Sequence, residues 1–463
     1  MYTLILMKIV NRKEPWLLFA GDILFFVLSL WLALILRYRE VPTGSVFKEH
    51  LLPFGILFII WCVIFFAAGL YEKHTTIFRN SLPLRVWNAQ VFNSFLAVVF
   101  FYFVPYFGIT PKIILFIYIV IALILISVWR IYGQKVFGLK MKEGAMILGH
   151  GKEMSALLHE VNNNPRYGLE FKSSFDLAKI GDADFQREII EKVKALHINV
   201  IAIDLQNENL KKNLSGFYNL LFSKIRFVDI NSLYEELFDR VPLDLVGYGW
   251  FLENVSLSAS VAYDAFKRFT DYLSALVLGV VSLIFYPFIC LAIKLEDGGP
   301  VFIVQERVGK NNKLIKIYKF RTMSFNDNEE KNPKTNENLS GQRVNKITKV
   351  GAFLRKSRLD ELPQLWNVLK GDLSLIGPRP ELPALTLVYE KEIPYYNVRH
   401  LIPPGLSGWA QLYHENHPHQ GVNVEETKNK LSYDLYYVKN RSLLLDLKIA
   451  LKTVKTMFSR TGK

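Results

Sequence analysis

The stretch YLSALVLGVVSLIFYPFICLAI, Tyr272–Ile293, decides the fold, because by length alone it could cross a membrane. Basic residues stand on both sides of it: Lys267 and Arg268 before, then Lys294, Arg307, Lys310 and Lys313 after. A crossing helix shows an asymmetry of flanking cations instead. Pro287 lies inside the run, where it can break a helix, and Ser282 is available to bond a carbonyl that the break frees. The expectation is a re-entrant helix–break–helix over about residues 267–294 that enters and leaves a single leaflet.

Upstream, four apolar runs at about Trp16–Leu36, Leu51–Leu70, Val86–Phe107 and Ile113–Val128 have the length of membrane-crossing helices. With the N-terminus inside, the inner segments hold Lys8, Arg12, Lys13, Lys73, Arg79, Arg85, Arg130, Lys135, Lys140 and Lys142. The outer ones hold only Arg37, Arg39, Lys48 and Lys112. Ten cations against four place everything after the fourth run in the cytosol. Asp22 is the exceptional charge within the runs and is expected to pack inside the bundle.

The whole chain of 463 residues is 51% hydrophobic and carries a formal charge of +14. Such a chain suits a membrane protein whose exposed parts meet anionic lipid or anionic substrates. No nucleic-acid motif accompanies the charge, so nucleic acid is not an expected partner. Cys62 and Cys290 both lie in apolar runs, which excludes a disulfide framework or a cysteine zinc site. The N-terminus has no convincing cleavage site for a signal peptide.

From about Gly144 the composition turns soluble. Strand-like AMILGHG, INVIAIDL and KIRFVDI alternate with helical stretches, which implies a small parallel, Rossmann-like α/β domain over 141–262. Gly149 and Gly151 supply half of a dinucleotide fingerprint, with Met154 at its third glycine position. A regulatory or oligomerising module is the favoured reading, so a homo-oligomer is one expected assembly. The polar tract Asn326–Gln342 reads as a loop, either a lid or plain surface.

Two clusters in the last part of the chain carry the chemistry. In GPVFIVQERVGKNNKLIKIYKFRTM (299–323), Arg307, Lys310, Lys313, Lys316, Lys319 and Arg321 crowd a hairpin-like stretch with a Gly-Lys-Asn-Asn turn. These cations suit anionic headgroups, a diphosphate, or both. In RKSRLDELPQLWNVLKGDLSLIGPRPELP (355–383), Pro363 suits a first helical turn and Gly371 a terminator, so Gln364–Lys370 reads as a helix. Asp360 and Glu361 then fall at its N-terminal end, where an ionised carboxylate is favoured. Acidic neighbours beside cations suit a hard divalent cation shared with phosphate. Arg379, between two prolines, is a stiffly held guanidinium suited to clamping phosphate.

Taken in order, QERVG, KFRTM, LDELPQLWNVLKGDLSLIGPRP, PGLSGWAQ and YDLYYVKNRS resemble the bacterial sugar transferase family, the monotopic polyprenyl-phosphate phosphoglycosyl transferases. The likeness runs over about 263–463, and the whole chain is similar to the family's large form: four spans over 1–140, the α/β domain, then a mixed α/β catalytic domain. It implies transfer of a hexose-1-phosphate from a UDP-sugar to undecaprenyl phosphate with release of UMP, as the first membrane step of exopolysaccharide, capsule or O-antigen synthesis. Asp360 would be the nucleophile of a ping-pong reaction through an aspartyl-phosphosugar, and Glu361 would help to bind Mg2+. Both carboxylates are thus expected metal ligands. Arg379, Lys319, Arg321 and Arg307 would hold phosphate, and Asp434 matches a further family acidic position with an N-capping or salt-bridged role as the competing reading. A catalytic domain using UDP-sugars belongs in the cytosol, which again argues that Tyr272–Ile293 does not cross. After PGLSGWAQ the chain reads LYHENHPHQG rather than the family's short Asn-Gly-Arg-like turn, a departure that bears on sugar identity. His414, His417 and His419 there read as surface residues rather than metal ligands. The C-terminal SLLLDLKIALKTVKTMFSR has the spacing of an amphipathic helix lying on the membrane.

Overall fold

The computed structural model describes residues 14–71, 76–104, 112–137, 142–164, 167–176, 184–204, 225–255, 261–324, 347–413 and 423–458. The tract Asn326–Gln342, the histidines His414, His417 and His419, and Lys8, Arg12, Lys13, Lys73 and Lys140 lie outside the described residues. The chain forms two compact units, Met1–Gly247 and Tyr248–Lys463.

The first unit opens with four helices: α1 (Glu14–Tyr38), α2 (Gly44–Ala67), α3 (Thr76–Phe103) and α4 (Lys112–Phe137). All four contain segments long and apolar enough to cross a membrane. Phe26, Phe54, Phe58, Trp61, Phe65 and Tyr118 pack between them, while Leu24, Ile59, Phe95 and Phe116 face outward, as lipid-facing side chains do. Asp22 is indeed inside the bundle. Arg130, a cation of the orientation count, is equally buried and pairs with it. The guanidinium also donates to the Leu70 carbonyl at 2.7 Å, and the Tyr71 hydroxyl donates to Asp22 at 2.6 Å. A charge in an apolar bundle survives by such pairing.

The same unit continues as β1 (Glu143–Gly149), α5 (Gly151–Asn163), β2 (Leu169–Asp176), α6 (Asp184–Ala195), β3 (Val200–Ile203), β4 (Arg226–Asp229) and α7 (Ile230–Phe238). The strands form one parallel sheet in the order β2-β1-β3-β4. Alternate residues of β1 serve opposite faces: Ala145 and Ile147 pack with Leu157 and Leu233, Met146 and Leu148 with Ile189 and Val193. Both faces are covered, which is why these strands read as continuous apolar runs. A β-carbon on Gly149 would meet Ile230 at 3.0 Å and the Met154 sulfur at 3.5 Å.

The second unit begins with α8 (Tyr248–Asn254), whose Phe251 ring lies 4.3 Å from that of Tyr395. Two helices follow, α9 (Val261–Ser282) and α10 (Tyr286–Asp297), bent by 58° at their break. Pro287 occupies the first turn of α10, and the Ser282 hydroxyl donates to the Gly279 carbonyl at 2.7 Å. Val277, Val280, Leu283, Ile284, Phe288 and Leu291 are exposed on this pair, an apolar surface unsuited to water.

Both ends of the bent pair anchor the rest of the unit. Near the start of α9, Arg268 caps the C-terminus of α12 (Gln364–Lys370) by donating to the Val368 and Leu369 carbonyls, and Asp271 accepts from Ser374 and Leu375 in β7 (Ser374–Ile376). At the end of α10, Glu296 accepts from the Lys349 and Val350 amides and so caps α11 (Lys349–Ser357), while Asp297 pairs with Arg321. Strands β5 (Phe302–Val308) and β6 (Leu314–Phe320) form an antiparallel hairpin whose turn uses left-handed Asn311 and Asn312. The unit is completed by α13 (Pro383–Glu392), β8 (Gly405–Ser407), α14 (Trp409–Tyr413), α15 (Val424–Lys439) and α16 (Leu443–Phe458). Ile449 of α16 enters the core with Trp409 and Tyr437, while Leu443, Leu444, Leu447 and Val454 stay exposed.

Candidate functional site

A single 3-10 turn, Leu359–Glu361, carries both carboxylates between α11 and α12. Its surroundings are fixed by a few local devices. Gly351 lets α11 meet the backbone of Thr322, where a β-carbon would stand 2.1 Å from the carbonyl oxygen. Arg355 then donates to the Thr322 hydroxyl at 2.9 Å. Fully buried Asn367 uses its side-chain amide as a strand partner, donating to the Lys316 carbonyl at 2.7 Å and accepting from the Tyr318 amide at 3.2 Å. This ties α12 to β6. As expected, Pro363 lies at the entrance to α12 and Gly371, at φ 94°, ends it.

Glu361 is ringed by cations. Arg379 reaches Oε1 at 3.0 Å, Lys319 approaches the same oxygen at 3.7 Å, and Arg358 stands 3.9 Å from Oε2. Burial pushes the Glu361 carboxyl up, but Arg379, Lys319 and Arg358 outweigh it and hold it down at about 2. Asp360 behaves oppositely. Burial, then the charge of Glu361, raises it to about 6 despite Lys319 and Arg355. The helix-end field expected to favour its ionised form is thus outweighed by desolvation and a like charge. Arg307 adds a further cation, since its guanidinium feels Glu381, Arg379 and Glu361 and donates to the Pro380 carbonyl at 3.4 Å. Five cations, Arg307, Lys319, Arg355, Arg358 and Arg379, therefore surround Asp360 and Glu361, and Glu381 also acts on Arg307 and Arg379.

A second ionic cluster grips the loop that carries Arg379. Arg399 donates to the Arg379 carbonyl at 2.8 Å and pairs with Asp434 at 2.7 Å. Lys430 pairs with Glu381, whose carbonyl also accepts from the Val308 amide at 2.9 Å. The carbonyls of Arg379, Pro380 and Glu381 are all held. Arg399 and Asp434 are only 2% and 1% exposed, so this pair is closed to solvent.

Of the residues singled out from sequence, Asp360, Glu361, Lys319, Arg379 and Arg307 come together. Arg321 takes a different place: it is buried and engages both oxygens of Asp297, where α10 meets β6. Asp434 is buried in the Arg399 pair, so its salt-bridged reading is the one the geometry carries. Sequence reasoning missed Arg358, Asn367, Glu381, Arg399 and Lys430. Arg358 and Glu381 were within reach, since they adjoin the quoted carboxylates and the Pro-Arg-Pro run. Arg399 and Lys430 carry no local signal because their partners are remote in sequence.

The carboxylate pair fits a hard divalent cation of the Mg2+ type, which takes one or two protein carboxylates and completes its shell with phosphate and water. Among the described residues no group of three or more His, Cys, Asp or Glu side chains forms a protein-only cage.

A family model described as bacterial sugar transferase matches residues 262–460. The UDP-N-acetylgalactosamine-undecaprenyl-phosphate N-acetylgalactosaminephosphotransferase of Aeromonas hydrophila is 37% identical over 275 residues, 58% of this chain and 61% of that protein. The UDP-glucose:undecaprenyl-phosphate glucose-1-phosphate transferase of Escherichia coli (strain K12) is 31% identical over 313 residues, 64% of each chain. These two relatives are thus matched over somewhat less than two thirds of their length. The uncharacterized sugar transferase EpsL of Bacillus subtilis (strain 168) is 40% identical over 197 residues, 42% of this chain and 89% of that protein. The chain belongs to the bacterial sugar transferase family.

Proposed function

We propose that the protein transfers a hexose-1-phosphate from a UDP-sugar to undecaprenyl phosphate, releasing UMP, on the cytoplasmic face of a bacterial inner membrane. The observation that carries this reading is the charge imbalance around Asp360 and Glu361, where Arg307, Lys319, Arg358 and Arg379 outnumber the carboxylates. Surplus partly buried cations are costly without an anion, and a diphosphate supplies one.

In this reading the Asp360 carboxylate attacks the donor's β-phosphorus. The bond from that phosphorus to the bridging oxygen breaks, UMP leaves with the electron pair, and the phosphosugar is esterified to Asp360. An oxygen of undecaprenyl phosphate then attacks the same phosphorus and releases Asp360 as carboxylate. Arg379 and Lys319 orient the phosphates, and Glu361 stays ionised throughout. Asp360 and Glu361 would hold Mg2+, which supplies neutralisation of phosphate charge when bound.

The bent pair α9–α10 acts as a re-entrant membrane segment. Arg268 and Asp271 at one end, and Glu296 and Asp297 at the other, dock into the same compact unit, which is natural when both ends lie on one side of the bilayer. The exposed leucines of α16 would rest at the same surface. The lipid phosphate then arrives at headgroup level beside the cations.

The test is a nucleotide assay of the purified full chain with undecaprenyl phosphate and a UDP-sugar panel that begins with the glucose and N-acetylgalactosamine donors. UMP release supports phosphosugar transfer. UDP release would show transfer of the sugar alone, and absence of either nucleotide would leave a lipid-binding scaffold.

A further inference from the structure

We propose that Arg358 is a donor-binding residue that exchanges Glu361 for the donor's diphosphate. This rests on the function proposed above and adds a residue that neither the sequence motifs nor the family match singles out. Arg358 joins α11 to the turn that carries Asp360, and it does so at φ 54°, ψ 19°. That left-handed conformation is unfavourable for a residue with a β-carbon and free of steric cost for glycine. Its amide caps α11 by donating to the Arg355 and Leu354 carbonyls, but its side chain gains little. The Arg358 side chain is 41% exposed and stands 3.9 Å from Glu361, the weakest placed of the three cations on that carboxylate. Exposed pairs of this kind contribute little. Arg379 and Lys319 both act more strongly than Arg358 in keeping Glu361 ionised, and they share Oε1. Arg358 faces Oε2, the oxygen left over. Its planar fork suits two phosphate oxygens better than one shared carboxylate oxygen. A guanidinium placed two residues before the nucleophile, loosely held and half in solvent, can release Glu361 when a diphosphate arrives.

The test uses the full chain with Arg358→Gly and Arg358→Lys, measuring donor KM, acceptor KM, UMP inhibition and thermal melting. Glycine suits the backbone here, so Arg358→Gly is expected to melt a few degrees higher than the parent. Its donor KM should rise about 10- to 100-fold, as for loss of a hydrogen bond to a charged group, with acceptor KM within about twofold. UMP inhibition should weaken alongside, and Arg358→Lys should fall between. Higher melting with unchanged donor KM would overturn the proposal and leave Arg358 as a surface partner of Glu361. Lower melting and lower kcat with unchanged donor KM would overturn it too, as a structural role. If the parent protein releases no UMP from any donor, the function itself falls. If the parent releases UMP and Arg358→Gly binds donor normally, only the role of Arg358 falls.

Discussion

Two ionic clusters share the segment from Arg379 to Glu381 and are built to opposite rules. Behind it, Arg399 and Lys430 meet Asp434 and Glu381, two cations against two anions, with Arg399 and Asp434 almost fully buried. In front, Arg307, Lys319, Arg355, Arg358 and Arg379 surround Asp360 and Glu361, with Glu381 also acting on Arg307 and Arg379, and Arg379 keeps 36% of its side chain exposed. The Asp22–Arg130 pair of the helical bundle follows the first rule. A balanced, largely buried cluster has its charges paired within the protein and holds shape. An unbalanced, open one is incomplete until a ligand adds negative charge.

The comparison breaks most visibly at Asp360. Asp360→Asn is expected to lower turnover by about 10^3-fold or more, as removal of a nucleophile does, while raising the melting temperature by a few degrees at pH 8. The sign follows from the folded-state value of about 6 against an ordinary 3.8: ionisation between these values is resisted by the fold, so stability falls as pH rises through that window. Below about pH 4 the stabilisation should vanish. A mutant that loses activity without this pH-dependent gain would place Asp360 outside the desolvated pair.

Removing one member of the balanced cluster should act on stability instead. Asp434→Ala leaves Arg399 buried and unpaired, with an expected cost of about 3–5 kcal/mol, read by thermal melting of the purified protein. Arg379→Lys keeps the charge but loses the fork, and an approximately 10- to 30-fold fall in kcat/KM for the donor is expected with little change in melting. The smallest effect is that of pH. For the free enzyme, kcat/KM should fall about tenfold per pH unit below about 6, as Asp360 takes a proton. Glu361, held at about 2, contributes nothing to that limb.

Much of this was legible in the chain. The four apolar helices follow from length, the sheet from alternating strands, and α12 from Pro363 and Gly371. Asp360, Glu361, Lys319, Arg379 and Arg307, all drawn from the quoted motifs, lie together. What local pattern could not provide is pairing across distance. Arg321 reads as a phosphate ligand until Asp297 is seen beside it, and the role of Asp434 stays open until Arg399 is. Asn367, an unremarkable residue inside a helix, turns out to join α12 to β6 because its amide matches a strand edge. The raised Asp360 was equally hidden, since desolvation depends on what covers a group rather than on its neighbours in sequence.

The most direct test is to incubate the full chain with Mg2+ and a donor that it turns over, without lipid phosphate, and to map adducts by peptide mass. A hexose phosphate on the peptide containing Asp360, lost on adding undecaprenyl phosphate, is the expected result. An unmodified Asp360 in a preparation that still releases UMP with both substrates present would contradict it.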